Sequence, residues 1–114
     1  DHFARIGAKG TIDPAELARL LALAAFPQVH VKVSAFYALG KKQPPYTDLA
    51  PMIWELRDAY GSERLMWGSD CPYQVADEHS YAASVALVRE KLDFLSDAEK
   101  TDIMKNTAEK VFFR

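Results

Sequence analysis

Valines alternate with polar residues along Val29-His30-Val31-Lys32-Val33-Ser34, a period of two that predicts a strand with two unlike faces. A second apolar run, Arg64-Leu65-Met66-Trp67-Gly68-Ser69, lies between Gly61 and Asp70-Cys71-Pro72 and predicts a buried strand that ends on Asp70. Elsewhere the period is helical. Asp13-Pro14-Ala15-Glu16 joins an N-cap, a proline at the first helical position and a glutamate three residues past the cap. Leu17, Leu20, Leu21 and Ala24 follow at helical spacing, so a helix is expected over 14–25, ended by Pro27. Thr47 or Asp48 opens a second helix that buries Ile53, Leu56 and Tyr60 and stops at Gly61. Tyr81, Val85, Val88 and Leu92 share one side of a third. Ser96-Asp97-Ala98-Glu99 and Asn106-Thr107-Ala108-Glu109 read as capping boxes of two further short helices.

Two strands separated by a helix form a βαβ unit, whose strands are expected to be parallel and adjacent. The class is therefore α/β. In such folds ligands gather where the loops leave the C-terminal ends of the strands, and Asp70 falls there. A carboxylate at that edge can coordinate a metal or take a proton; it can also simply cap its loop. Lys32 and Ser34 share a face with Met66, Gly68 and Asp70. A lysine on an inner sheet face needs a partner or a wet cavity, although an edge strand facing solvent gives the same pattern.

The chain of 114 residues suffices for one core, and its net charge of -2 without a Lys/Arg cluster offers no field for nucleic acid. Cys71 is the only cysteine, which excludes an internal disulfide and favours the cytoplasm. No apolar run approaches the ~20 residues of a membrane span, and no signal-peptide pattern opens the chain. It starts Asp1-His2-Phe3 rather than with Met, and is expected to be a piece of a longer protein.

The succession Asp1-His2, Val31-Lys32-Val33-Ser34, Arg64 through Pro72, and Asn106-Thr107-Ala108 before Val111-Phe112-Phe113 resembles the amidohydrolase-related family. Its members are metal-dependent hydrolases, lactonases and decarboxylases of the amidohydrolase superfamily, built on a (β/α)8 barrel. The resemblance implies that residues 1–114 are the C-terminal portion of a single TIM-barrel hydrolase domain, from the end of strand six through strand eight and the closing helices. A complete barrel takes about 250 residues.

By position, His2 resembles the family's strand-six histidine, which lies beside the metal, and Asp70 its strand-eight aspartate, metal ligand, general base or both. The resemblance therefore implies a divalent metal, zinc first among them, in the whole protein. A metal of this kind brings the pKa of water towards ~7, and a nearby carboxylate or imidazole then takes the proton. Lys32, Ser34, Tyr37 and Tyr73 are candidates, by location, for holding a substrate carboxylate. The family's strand-one His-x-His pair and strand-five histidine have no counterpart here. Catalytic zinc generally needs three protein ligands and His2 and Asp70 offer two, so the isolated chain is expected to be inert and to bind metal weakly at most.

The implied reaction is attack of activated water on the carbonyl of a small carboxylated lactone, amide or similar substrate. A decarboxylase of the same family is the nearest alternative chemistry. A non-catalytic barrel fragment that associates with itself or with the remaining barrel half is the competing reading, because cut strands expose unpaired edges and would uncover Met66. His30 and His79 are expected to be structural or solvent-exposed. Cys71 stands where an aromatic is usual in the family and is expected to pack. Ser69, His79 and Asp70 lack a Gly-x-Ser-x-Gly elbow for a serine hydrolase, and neither strand is followed by the Gly-rich loop of a phosphate site.

Overall fold

The computed structural model of this chain describes residues 1–113. Two parallel strands, β1 (Val31–Ser34) and β2 (Leu65–Gly68), pair with Val31 opposite Leu65 and Ser34 opposite Gly68. The predicted first strand is two residues too long. The Val29 amide closes a turn onto the Phe26 carbonyl at 3.1 Å, so it is not available to a ladder. Val31, Val33 and Leu65 are buried against the helices, in a core that also holds Ile53, Leu56, Leu87, Leu92 and Ile103. Lys32, Ser34, Met66 and Gly68 share the other face, as the alternation requires. Met66 on that face is only 4% exposed, against the uncovering that the self-association reading expects, whereas the Lys32 side chain is 41% exposed.

Helix α1 (Pro14–Ala22) starts as the sequence predicts: the Asp13 carboxylate accepts the Ala15 amide at 2.8 Å, and Pro14 needs no acceptor. It runs on into a 3-10 turn, Leu23–Ala25. A 3-10 turn over Thr47–Leu49 leads into α2 (Ala50–Tyr60). Neither Thr47 nor Asp48 caps α2 through its side chain; the Asp48 carboxylate instead takes the Lys41 amide at 2.9 Å. Gly61 ends α2 at φ 74°, a conformation costly for other residues.

Helix α3 (Tyr81–Ala86) passes into a π turn, Leu87–Lys91. The buried stripe is Ser84, Leu87, Val88 and Leu92, while Tyr81 is half exposed and Val85 only partly buried, so the expected Tyr81-Val85 face is corrected. The Ser96/Glu99 capping box opens α4 (Asp97–Thr101) with both of its hydrogen bonds. The second expected box does not form. Asn106 is itself helical, in a π turn (Asp102–Asn106) that joins α4 to α5 (Thr107–Phe112), and its amide donates to Asp102 Oδ1 at 3.1 Å. Thr107 spends its hydroxyl on the Ser62 carbonyl instead. No helix of the described residues is long and apolar enough to cross a membrane.

Asp1-His2, expected at a strand end, opens a left-handed turn. His2, Phe3, Ala4 and Arg5 all have φ between 51° and 62°, and the Ala4 amide closes onto the Asp1 carbonyl at 2.8 Å. Left-handed conformations cost about 1–2 kcal/mol per non-glycine residue. The fully buried Phe3 and the 2%-exposed Ile6 supply the packing that offsets this.

Candidate active site

A cleft of about 340 Å³ opens where the chain leaves the C-terminal ends of β1 and β2; its lining includes His2, Arg5, Tyr37, Leu39, Asp70 and Tyr73. Its parts come from three segments. The left-handed turn brings His2 and Arg5, residues 35–39 after β1 bring Tyr37, and the loop after β2 brings Asp70 and Tyr73.

Asp70 is the centre of the polar cluster. Its backbone is left-handed (φ 55°), which an aspartate tolerates better than most residues, and its side chain is 24% exposed. The Tyr37 hydroxyl donates to Asp70 Oδ2 at 2.6 Å, while Oδ1 lies 3.7 Å from His2 Nε2. The Tyr37 phenol is pushed up to about 12, first by burial and then by the hydrogen bond to Asp70 and its negative charge; Arg5 opposes them. Tyr37 therefore stays a donor at neutral pH and fixes one carboxylate oxygen, leaving the other towards His2.

Ser34 and Lys32 are placed otherwise than the sequence suggested. Ser34 is buried and its hydroxyl is 2.6 Å from His2 Nδ1, so it orients the imidazole rather than facing the cleft. Lys32 Nζ is 3.3 Å from the Asp1 carboxylate and lies outside the cleft lining. Tyr73 is on the wall, its ring stacked on Tyr37 with centroids 6.5 Å apart and planes at 26°. Cys71 is exposed, which corrects the expectation of packing, and its amide bonds Ser69 Oγ at 3.3 Å.

The wall has a buried support that the sequence did not reveal. Gln74 Nε2 donates to Tyr46 Oη at 2.8 Å and to the Ser80 carbonyl at 3.2 Å; Tyr46 Oη in turn is 2.7 Å from His79 Nδ1. His79 stacks on Tyr46 and meets Tyr37 edge-on at 5.9 Å. His79 is thus structural, as expected, and props the residue that holds Asp70. His30 lies before β1, at the far end, bonded to the Gln28 carbonyl at 3.0 Å.

Two ligands on one zinc, at bonds of about 2.1 Å and a tetrahedral angle, stand about 3.4 Å apart. His2 Nε2 and Asp70 Oδ1, at 3.7 Å, have that spacing. No group of three or more metal-binding side chains occurs among the described residues. The pair fits two positions of a metal site, and the others would come from outside these residues.

The Amidohydrolase family profile matches residues 1–114. The solved structure of a candidate 2-pyrone-4,6-dicarboxylic acid hydrolase from Pseudomonas putida superposes with a TM-score of 0.80 at 34% identity, covering 98% of this chain and 41% of that one. An amidohydrolase from Burkholderia multivorans, solved with bound zinc, superposes with a TM-score of 0.76 at 30% identity, covering 96% of this chain and 41% of its own. An L-fucono-1,5-lactonase from Burkholderia ambifaria is 38% identical over 50 residues, 44% of this chain and 17% of the lactonase. The chain thus spans about two fifths of the solved relatives and less of the lactonase. The mixed fold, the family profile and these likenesses agree: the chain belongs to the amidohydrolase family.

Proposed function

We propose that residues 1–114 are the C-terminal part of a (β/α)8 barrel whose other strands are supplied by further sequence, and that the whole protein is a hydrolase opening a small lactone or amide with water. The supporting observation is the unequal use of the two Asp70 oxygens, one held by Tyr37 and the other turned to His2. In this reading the Asp70 carboxylate takes a proton from water as the water oxygen bonds the substrate carbonyl carbon. Asp70 then returns the proton to the departing oxygen or nitrogen as the carbonyl C–O or C–N bond breaks. Ser34 keeps His2 oriented beside that water, and Tyr37 prevents the carboxylate from rotating away.

The relative with bound zinc supports a divalent metal for the whole protein. His2 Nε2 and Asp70 Oδ1 would hold it together with ligands from the remaining barrel, and it would supply acidification of water and polarisation of the carbonyl. The substrates in the relatives' names, a fuconolactone and a pyrone dicarboxylic acid, favour a small lactone.

The test is Asp70→Asn in the full-length protein, assayed on a panel of lactones and amides. Asparagine preserves the shape and tolerates the left-handed backbone, and a lost general base lowers kcat by about a hundred- to ten-thousandfold. Undiminished hydrolysis overturns the proposal, as does release of carbon dioxide in place of ring opening, the outcome a decarboxylase gives.

A further inference from the structure

Arg5 is the one permanent cation lining the cleft, and it makes no ion pair among the described residues. Arg57 and Arg64, by contrast, are committed, to Asp58 and Glu99 and to three backbone carbonyls respectively. The base of the Arg5 side chain is pinned. Ile6 beside it and Phe3 two residues before it are buried, the Arg5 carbonyl accepts the Ala8 amide at 3.1 Å, and the Gly7 carbonyl accepts the Gly40 amide at 2.9 Å. Asp70, the acid of the cleft, is held by the Tyr37 hydroxyl at 2.6 Å, and Arg5 lines the same cleft without pairing with it. The same cleft is lined by the stacked pair Tyr37 and Tyr73, by Leu39 and by alanines.

A substrate carboxylate beside Asp70 would meet a like charge, whereas beside Arg5 it meets a guanidinium whose planar fork matches it. Lys32, the other candidate, is already paired with Asp1 outside the cleft. We propose that Arg5 is the anion anchor of the site: it binds a carboxylate carried on a flat skeleton lying against Tyr37 and Tyr73, and so selects carboxylated over neutral substrates. This rests on reading the cleft as the hydrolase site.

The experiment is calorimetric titration of the full-length protein and its Arg5→Gln and Arg5→Lys variants with benzoate and with benzyl alcohol, a neutral probe of similar shape. Benzoate affinity is expected to fall about tenfold or more in Arg5→Gln, to recover in part in Arg5→Lys, and to weaken with salt only where the cation is present. Benzyl alcohol binding stays the same in all three. Equal benzoate affinity in wild type and Arg5→Gln, or no benzoate binding by the folded wild type, overturns the anchor. The two proposals fail separately. Hydrolysis lost in Asp70→Asn with benzoate indifferent to Arg5 removes the anchor alone; benzoate bound through Arg5 with full hydrolysis in Asp70→Asn removes the hydrolase reading and keeps the anchor.

Discussion

The two ends of the same pair of strands are built differently. At the N-terminal end polar side chains are tied mostly to backbone carbonyls. Arg64 donates to the carbonyls of Tyr60, Phe26 and Ala24 and lies over the Tyr60 ring, Thr107 holds the Ser62 carbonyl, and Ser62 Oγ donates to Asp102 at 2.7 Å. At the C-terminal end side chains bond one another around a cleft, on a backbone with left-handed residues at His2 through Arg5, Ala35 and Asp70. Strained conformations persist where surrounding structure fixes them and cluster at ligand sites. One end secures the fold; at the other, Arg5 makes no ion pair among the described residues and Asp70 turns one oxygen to His2. That division is the one barrels show between their two faces.

Three substitutions break or sharpen this contrast. Arg64→Met keeps most of the apolar stem but deletes the bonds to Ala24, Phe26 and Tyr60, and is expected to cost about 2–3 kcal/mol in chemical denaturation while leaving turnover per folded molecule unchanged. A comparable loss of turnover would show that the two ends are not separable. Tyr46→Phe probes the opposite case, a buried residue at the cleft end. It removes an acceptor from Gln74 and a partner from His79, and about 1–2 kcal/mol of stability should go together with severalfold lower kcat, as the wall carrying Tyr37 loosens. Stability lost with kcat intact would make the Gln74-Tyr46-His79 chain purely structural.

The smallest effect is the pH response of Tyr37. Folding raises its phenol from 10.0 to about 12, so the fold favours the protonated form. That contribution is complete below pH 10 and is lost as pH rises towards 12. Spectrophotometric titration of Asp70→Asn should find this tyrosine ionising at lower pH than in wild type, because burial remains but the carboxylate's charge is gone. An unmoved transition would mean that Asp70 does not act on Tyr37.

The secure end and both strands were legible because their signals are local. The Val31/Val33 alternation, the apolar run before Asp70, Pro14 after Asp13, and the Ser96/Glu99 box each satisfy their backbone within a few residues. His2 and Asp70 were legible as a pair only through family resemblance, since 68 positions separate them. Arg5 was not legible at all. Its place in the cleft depends on a left-handed turn of four non-glycine residues, which no local propensity announces and only the packing of Phe3 and Ile6 secures. Ser34 was assigned to the right face, but a strand pattern does not tell whether a hydroxyl meets substrate or a neighbouring imidazole. Tyr81 follows the apolar spacing but stands at the first position of α3, half exposed with its ring edge-on to Trp67, and Asn106, read as a cap from its spacing to Glu109, lies inside the π turn between α4 and α5.

The most direct test is to measure kcat/KM and the melting temperature side by side for Asp70→Asn and Arg64→Met in the full-length protein. Asp70→Asn is expected to lose about a hundredfold or more in hydrolysis with a melting temperature within about 2 °C of wild type, and Arg64→Met to do the reverse. Hydrolysis by Asp70→Asn at the wild-type rate would contradict it, whatever the melting temperatures show.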